Sequence, residues 1–398
     1  MSATPARAPF NPALAGALAA PIMTAQGWVA GRAFPEDRPL INLSQAAPVG
    51  PPPLALREAM AAAALSEGAA HLYGPVPGDA PLRAEIAARW SEIYEGRVAP
   101  AEVAVTSGCN EAFCASLLTL AGAGDEVILP TPWYFNHKMW LDMTGVTAVP
   151  LPVGEDGLLD PGAVAARIGP KTRALVLVSP NNPTGAETPA NLMDRLYDLC
   201  AGAGIALVLD ETYRDYLSRD GAPHRLFQRN DWGGTLIHLY SFSKAYRLTG
   251  HRVGAIASSA ERVAAVEKFL DTVTICPTRI GQIAALEGLR SQADFVASER
   301  AEFARRRAAL EAEFAAGVGD WRLLGAGAYF AWAAHPFDAP SEVVAKRLVE
   351  EASLLALPGS FFTPPGDPAG EGALRIAFAN VPVEGIRETA RRLRAFSM

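Results

Sequence analysis

The middle of the chain alternates short, nearly unbroken apolar runs with stretches whose apolar residues return every three or four positions. EVAVTS (102–107), EVILP (126–130), TRALVLVSP (172–180), IALVLDE (205–211) and TLIHLYSFS (235–243) are apolar at odd and even positions alike. Strands covered on both faces carry this pattern. CNEAFCASLLTLA, which follows the first run, gathers Phe113, Leu117, Leu118 and Leu120 into an apolar helical face. A second helix, spanning 189–203, lies between TRALVLVSP and IALVLDE and supplies the crossover that a parallel pair needs. The alternation therefore predicts a mostly parallel sheet between helices. RVGAIASS (252–259) breaks the scheme, because only about ten residues separate it from the preceding strand, too few for a crossover helix. It is expected to run antiparallel.

From about Leu289 the period changes. A long charged helix, SQADFVASERAEFARRRAALEAEF, leads into short strands (AYFAWAA, SLLALPG, ALRIAFA) and a closing helix, PVEGIRETARRLRAF. This reads as a second, smaller α+β domain over 289–398, joined by residues 1–50 and set against a large domain over 51–288. PALAGALAA near the start is Ala-rich, short and bracketed by prolines, which reads as an arm of the fold and not as a targeting signal.

Composition narrows the partners. With 398 residues, 50% of them hydrophobic, the chain can bury a large core. The 35 basic and 42 acidic residues leave a net charge of −7 with no basic run, so neither nucleic acid nor an anionic membrane is expected as partner. No apolar run reaches the roughly 18 residues that a membrane helix requires. Cys109, Cys114, Cys200 and Cys276 form no CxxC pair, and the six histidines form no HExxH. Reduced thiols in the cytoplasm and no metal site are the expectation.

One lysine changes the picture. In SFSKAYRLTGHRVG (241–254), Lys244 stands at the end of a buried strand among hydroxyl residues. It is either a solvated strand-end charge or a desolvated amine of lowered pKa, able to act as a neutral nucleophile and form a Schiff base. Its neighbours point to the second. Arg252, Ser241 and Ser243 suit a phosphate, and a cofactor carrying both aldehyde and phosphate would use the whole group. Pyridoxal phosphate is the common one. It needs a carboxylate opposite its ring nitrogen, for which Asp210 stands at the carboxyl edge of the sheet. Tyr213, three residues on, can donate to the phenolic oxygen. TSGCNEA offers a strand, a glycine turn and a helix start, where Gly108, Cys109 and Asn110 present backbone N–H groups. In SPNNPTG, Asn182 is held before a proline at the sheet edge. Arg375, inside the apolar run ALRIAFAN, needs an anion. The carboxylate of an amino acid fits its planar fork, and an internal carboxylate is the competing partner.

From about Ile41 onward the chain resembles the class I/II aminotransferases, the aspartate aminotransferase-like branch of fold-type I pyridoxal phosphate enzymes. YGPVPGDAPLR, TSGCNEAF, PTPWY, SPNNPTG, DETYRDY, SFSKAYRLTGHRVG and ALRIAFAN follow one another in family order. The resemblance implies an α/β large domain with a mostly parallel seven-stranded sheet, plus a smaller α+β domain. It implies that Lys244 binds the cofactor covalently and shuttles the substrate proton, and that Asp210 pairs with the ring nitrogen. Tyr213 and Asn182 would contact the phenolic oxygen and Tyr134 would stack on the ring, with Trp133 the competing choice. Gly108, Cys109, Asn110, Ser241 and Arg252 would hold the phosphate, with Ser243 beside them. Tyr73 would reach the phosphate of a neighbouring subunit in a homodimer with shared sites, and Arg375 would clamp the substrate carboxylate. Ala46 stands where relatives often carry a glycine against the substrate. Aspartate specialists place a second arginine from the partner subunit a few residues before the motif matching ICPT, and counting back without gaps from Pro277 puts Asp271 near that position, which argues against a strict preference for dicarboxylic amino acids.

The implied reaction is transfer of an amino group from an L-amino acid to a 2-oxo acid by a ping-pong mechanism. A C–S β-lyase, or another elimination or decarboxylation enzyme, would share the same core motifs. A ligand-sensing regulator would need a DNA-binding domain ahead of Ile41, where no room is expected. A nicotinamide enzyme would need GxGxxG after a strand, and Gly122 with Gly124, like Gly202 with Gly204, lacks the third glycine.

Overall fold

A computed structural model describes residues 10–398. Along the chain the strands are β1 (Ile41–Asn42), β2 (Val103–Thr106), β3 (Glu126–Thr131), β4 (Thr147–Pro152), β5 (Thr172–Val178), β6 (Ala206–Asp210) and β7 (Leu236–Ser241). After these come β8 (Gly254–Ala257), β9 (Arg322–Gly327), β10 (Phe330–Ala334), β11 (Leu354–Leu355), β12 (Leu357–Pro358) and β13 (Ala373–Ile376). Seven of them form the main sheet in the order β2-β8-β7-β6-β5-β3-β4. Strand β8 pairs antiparallel with both β2 and β7, while the remaining pairs are parallel. The link before β8, residues 242–253, is spent on two short helical turns and cannot carry the chain back across the sheet.

Each apolar run is buried on both faces because alternate side chains enter two separate cores. Leu207 and Leu209 of β6 join Trp90, Tyr94, Met193 and Leu196 on one side. Ala206 and Val208 join Phe113, Leu117, Leu141 and Leu270 on the other. The expected crossover helix is present as Ala190–Ala203, ended by Gly204 in the left-handed region.

Three strands were not anticipated from the sequence, the two-residue β1 among them. TAVPLP forms β4, at the sheet edge, where prolines cost no ladder hydrogen bond. RLLGAG forms β9, the edge of a four-stranded antiparallel sheet ordered β12-β13-β10-β9. SLLALPG does not form one strand but divides between β11 and β12, which pair with β1 and β13 respectively. The long charged helix runs Ala293–Ala315 and is set off by Gln292 from a helix at Arg279–Ser291. PALAGALAA contributes a short helix, Pro12–Gly16, packed against the helix Phe135–Thr144.

The segment after β1 connects the two sheets. Leu43 donates to Leu355 O at 2.8 Å, and Ala377 donates to Leu43 O at 2.9 Å. Ser44 to Ala46 is thereby carried over the small sheet to the carboxyl ends of β2, β5, β6 and β7.

Candidate active site

The ends of β2, β5, β6 and β7 and the start of β8 open on one cleft, lined by Cys109, Asn110, Tyr134, Asn182, Asp210, Tyr213, Ser241, Ser243, Lys244 and Arg252. Nearly all the residues singled out along the sequence meet there, from five separate segments, Tyr134 arriving from the loop after β3. A carboxyl-edge crevice is where open α/β sheets bind ligands.

Lys244 lies in a single helical turn, Phe242–Ala245, capped by Ser241, whose Oγ accepts from Ser243 N at 3.3 Å. Its Nζ donates to Ala46 O at 2.6 Å and lies 5.9 Å from the centre of the Tyr213 ring. Burial, then the cations Arg252 and Arg375, lower its pKa from 10.5 to about 8. The amine is thus part neutral near physiological pH and still held by a carbonyl. In the cofactor-free protein, its reaction with an amine-directed arylating reagent is expected to titrate with a midpoint near 8. Below that pH the ammonium has no lone pair to offer. Arg252→Gln removes one of the opposing cations and is expected to move the midpoint upward.

Asp210 ends β6 and is buried. Its Oδ1 accepts from Thr212 N at 2.9 Å, from Thr212 Oγ1 at 2.7 Å and from the Cys109 thiol at 3.7 Å. His137 Nε2 lies 3.4 Å from Oδ2. Burial raises the pKa of this carboxyl, but His137 and the two Thr212 donors outweigh it and leave the pKa below the ordinary value. Asp210 is therefore an anion at the floor of the cleft.

His137 and Thr212 were not legible as site residues. The histidine falls in FNHKMW between Asn136 and Lys138, in a polar run that gives no sign of which side chain is turned inward. Its position three residues after Tyr134 was the available signal, since that spacing puts both side chains on one helix face. The ring is stacked on Phe113 with centroids 3.8 Å apart, and it meets the Tyr134 ring edge-on at 5.0 Å.

Tyr134, not Trp133, faces the cleft, with its hydroxyl donating to Asn110 Oδ1 at 3.3 Å. Trp133 is turned into the core beside Val127 and Val176. Tyr213 is buried among Tyr329 and Phe330, and burial raises its phenol pKa well above the ordinary value.

Arg375 is 2% exposed. Its guanidinium lies 5.0 Å from the Phe330 ring and 5.1 Å from the Phe362 ring. Nη1 donates to Asn182 Oδ1 at 3.1 Å and Nη2 to Ser44 O, but Nε has no partner. Among the described residues, no carboxylate forms an ion pair with it within 4.0 Å. Burial lowers its pKa from 12.5 to about 10, and it remains a cation without a counter-anion.

Gly108 has φ +92, and a Cβ there would lie 2.2 Å from Arg252 Nη2. Only glycine lets the arginine lie against the turn. Gly108 is the N-cap of the helix Cys109–Leu118, whose first N–H groups have no acceptor inside the helix. Arg252, itself at φ 54, donates to Thr249 O at 3.1 Å and Ser107 O at 3.3 Å. A cation, free N–H groups and the hydroxyls of Ser241 and Ser243 thus surround one end of the cleft, which suits a phosphate. The amine and the carboxylate lie beyond it. Pyridoxal phosphate fits this donor set end to end. Tyr73 is not brought to the cleft; its side chain is 78% exposed.

A lysine, a buried carboxylate and a phosphate cup at the carboxyl edge of a doubly covered sheet define the class of fold-type I pyridoxal phosphate enzymes. Within that class, the chain belongs to the family described as aminotransferase class I and II, whose model matches residues 38–393. It is a pyridoxal phosphate-dependent aminotransferase. The chain is 30% identical over 333 residues to an aromatic aminotransferase of Arabidopsis thaliana, covering 81% of each. Against an aspartate/prephenate aminotransferase of Thermus thermophilus it is 30% identical over 361 residues, covering 89% of this chain and 90% of that one. The solved aspartate aminotransferase of Thermus thermophilus with maleate superposes with a TM-score of 0.87 at 25% identity, over 98% of this chain and 100% of that one. No helix among the described residues is long and apolar enough to cross a membrane.

Proposed function

We propose that this cleft transfers the amino group of an L-amino acid with a neutral, largely apolar side chain to a 2-oxo acid. The observation that carries the substrate class is the supply of cations at the cleft. Lys244 and Arg252 are the basic residues lining the cleft and both serve the cofactor, which leaves Arg375 as the cation for the substrate. Arg375 binds the α-carboxylate, and the rings of Phe330 and Phe362 beside it present apolar surface. Asp271, where a second arginine would sit, is an exposed acid on the helix Ala260–Val273.

When bound, the cofactor supplies an aldehyde that captures amino groups and an electron-poor ring that takes up the electron pair left at the amino acid's α-carbon. Lys244 Nζ holds it covalently and, once displaced by substrate, takes and returns the α-proton. A pKa near 8 suits that exchange. Asp210 keeps the ring nitrogen protonated, with Thr212 and His137 fixing the carboxylate. Tyr213 and Asn182 contact the phenolic oxygen, and Tyr134 stacks on the ring. Gly108, Cys109, Asn110, Ser241, Ser243 and Arg252 hold the phosphate. Ala46 lends its carbonyl to Lys244 and its methyl to the substrate wall.

Tyr73 serves the site of a second copy in a homodimer, since an exposed tyrosine in YGPVPGD has no use in its own cleft. The division into residues 51–288 and 289–398, with 1–50 as a joining segment, belongs to the same reading. So does a cytoplasmic location, which four free cysteines fit.

A panel of amino acids offered with pyruvate and with 2-oxoglutarate tests the substrate class. Aromatic and branched donors are expected to exceed aspartate in kcat/KM by about tenfold or more, the scale set by the cost of about 1–3 kcal/mol for leaving a buried polar group unsatisfied. Aspartate as the best donor would reject the assignment. Ammonia and pyruvate released from cysteine conjugates without an acceptor would favour the lyase.

A further inference from the structure

Beneath Asp210, on the other face of the sheet, lies a buried polar cluster that the chemistry above does not use. Glu211 N donates to Leu239 O at 2.9 Å, extending the strand pairing by one residue. The Glu211 side chain therefore leaves the face opposite Asp210. It is 1% exposed. Its Oε2 accepts from the Tyr94 hydroxyl and from His238 Nε2 at 2.9 Å, and His224 Nε2 lies 3.5 Å away.

The proton positions follow from the partners. An indole N–H can only donate, and Trp90 Nε1 donates to His238 Nδ1 at 3.2 Å. His238 must then carry its single proton on Nε2, facing Glu211. Burial, against the pull of Glu211, lowers its pKa to about 4, in line with that assignment. Leu226 N donates to His224 Nδ1 at 3.2 Å, so the His224 proton also points toward the carboxylate. Arg214 Nη1 donates to Tyr94 O–H at 3.0 Å, and its guanidinium lies 3.6 Å from the Trp90 ring and 4.2 Å from the Tyr240 ring. Asp215, 3.9 Å from Arg214 and bonded to Tyr240 at 2.7 Å, completes the charged groups on this face. Glu211 and Arg214 are thus tied through one phenol.

These two residues alternate along the chain with the cleft residues Asp210, Thr212 and Tyr213. We infer that Glu211 and Arg214 are positioning residues: their buried network clamps 210–214 from below and so sets the angle at which Asp210 and Tyr213 meet the cofactor. The inference rests on the cofactor assignment made under Proposed function. Tyr94 and His238 each direct a donor at Glu211, and Arg214 Nη1 holds the same phenol, while Arg214 Nε and His224 Nε2 have no hydrogen-bond partner; rotating the segment would break the three formed bonds together.

The test compares wild type with Glu211→Gln, which keeps the shape and removes the charge. Thermal midpoint is measured without cofactor, and the dissociation constant of pyridoxal phosphate and the pH midpoint of its visible band are measured with it. Glu211→Gln is expected to raise the dissociation constant about tenfold, the low end of what losing a ligand-orienting partner costs at a bound centre. It is also expected to shift the pH midpoint of the band. His238→Leu, which leaves both charges in place, is expected to move both readings in the same direction by less, and His238→Gln, which keeps an N–H donor, to restore them. A lowered thermal midpoint with dissociation constant and band unchanged overturns the inference, because the cluster would then serve stability alone. If Glu211→Gln does not fold, an unchanged dissociation constant and band in His238→Leu overturns it equally. A wild-type protein with no visible band on adding pyridoxal phosphate rejects the cofactor reading itself, and this inference with it.

Discussion

Lys244→Ala is expected to eliminate the borohydride-reducible adduct with pyridoxal phosphate and to lower kcat/KM by ~10⁴-fold or more, the scale of losing a covalent catalyst. Among the cleft residues only Lys244 offers an amine, and its pKa of about 8 makes it both a nucleophile and a proton carrier. Pyridoxal phosphate should still bind the variant, because Arg252, Ser241 and the helix start at Cys109 are untouched. Reduction with borohydride followed by mass analysis reads the first outcome, and keto-acid formation the second. An undiminished adduct would place the covalent bond on another lysine.

Arg375→Leu is the second large effect, and its two readouts move apart. Removing one partner of a buried, hydrogen-bonded charge pair costs about 2–5 kcal/mol, which is a loss of tens to thousands of fold in kcat/KM. The thermal midpoint of the cofactor-free protein is expected to hold or rise. Without substrate the guanidinium is a buried charge that neighbouring residues satisfy only in part, with Nε unpartnered, and leucine suits the Phe330 and Phe362 surroundings better. Arg375→Lys should lose much of the activity as well, since an ammonium cannot bind a carboxylate through a planar fork. A steep fall in thermal midpoint with kcat/KM intact would mean that Arg375 is structural.

Legibility in the sequence followed how local the physics was. The parallel strands were visible because both faces of each are buried, so the apolar runs are unbroken. Strand β4 was hidden by its two prolines, which an edge position tolerates, and β9 by its glycines and exposed face. Lys244, Asp210 and Arg375 were legible because each is a charged residue where charge is expensive. His137 was not, because it stands between Asn136 and Lys138, and a run of three polar residues has the same appearance whether or not one of them meets a buried carboxylate. Glu211 stood directly beside Asp210 and still passed unnoticed. Its partners Tyr94, His224 and His238 are separated from it along the chain, and no spacing rule connects them.

The sequence by itself determined the doubly buried strands of the main sheet and the helices between them, the antiparallel return at RVGAIASS and the set of residues suited to one aldehyde-and-phosphate cofactor. Those follow from periodicity, loop length and the chemistry of side chains, all of which are written along the chain. Only the tertiary structure decided that Tyr134 and not Trp133 faces the cleft, that Arg375 has no carboxylate partner, and that Lys244 rests on the Ala46 carbonyl. It also decided that a second, buried polar cluster underlies Asp210. Each of these depends on which distant segments meet, and on how far burial and neighbouring charge shift a group once they have met.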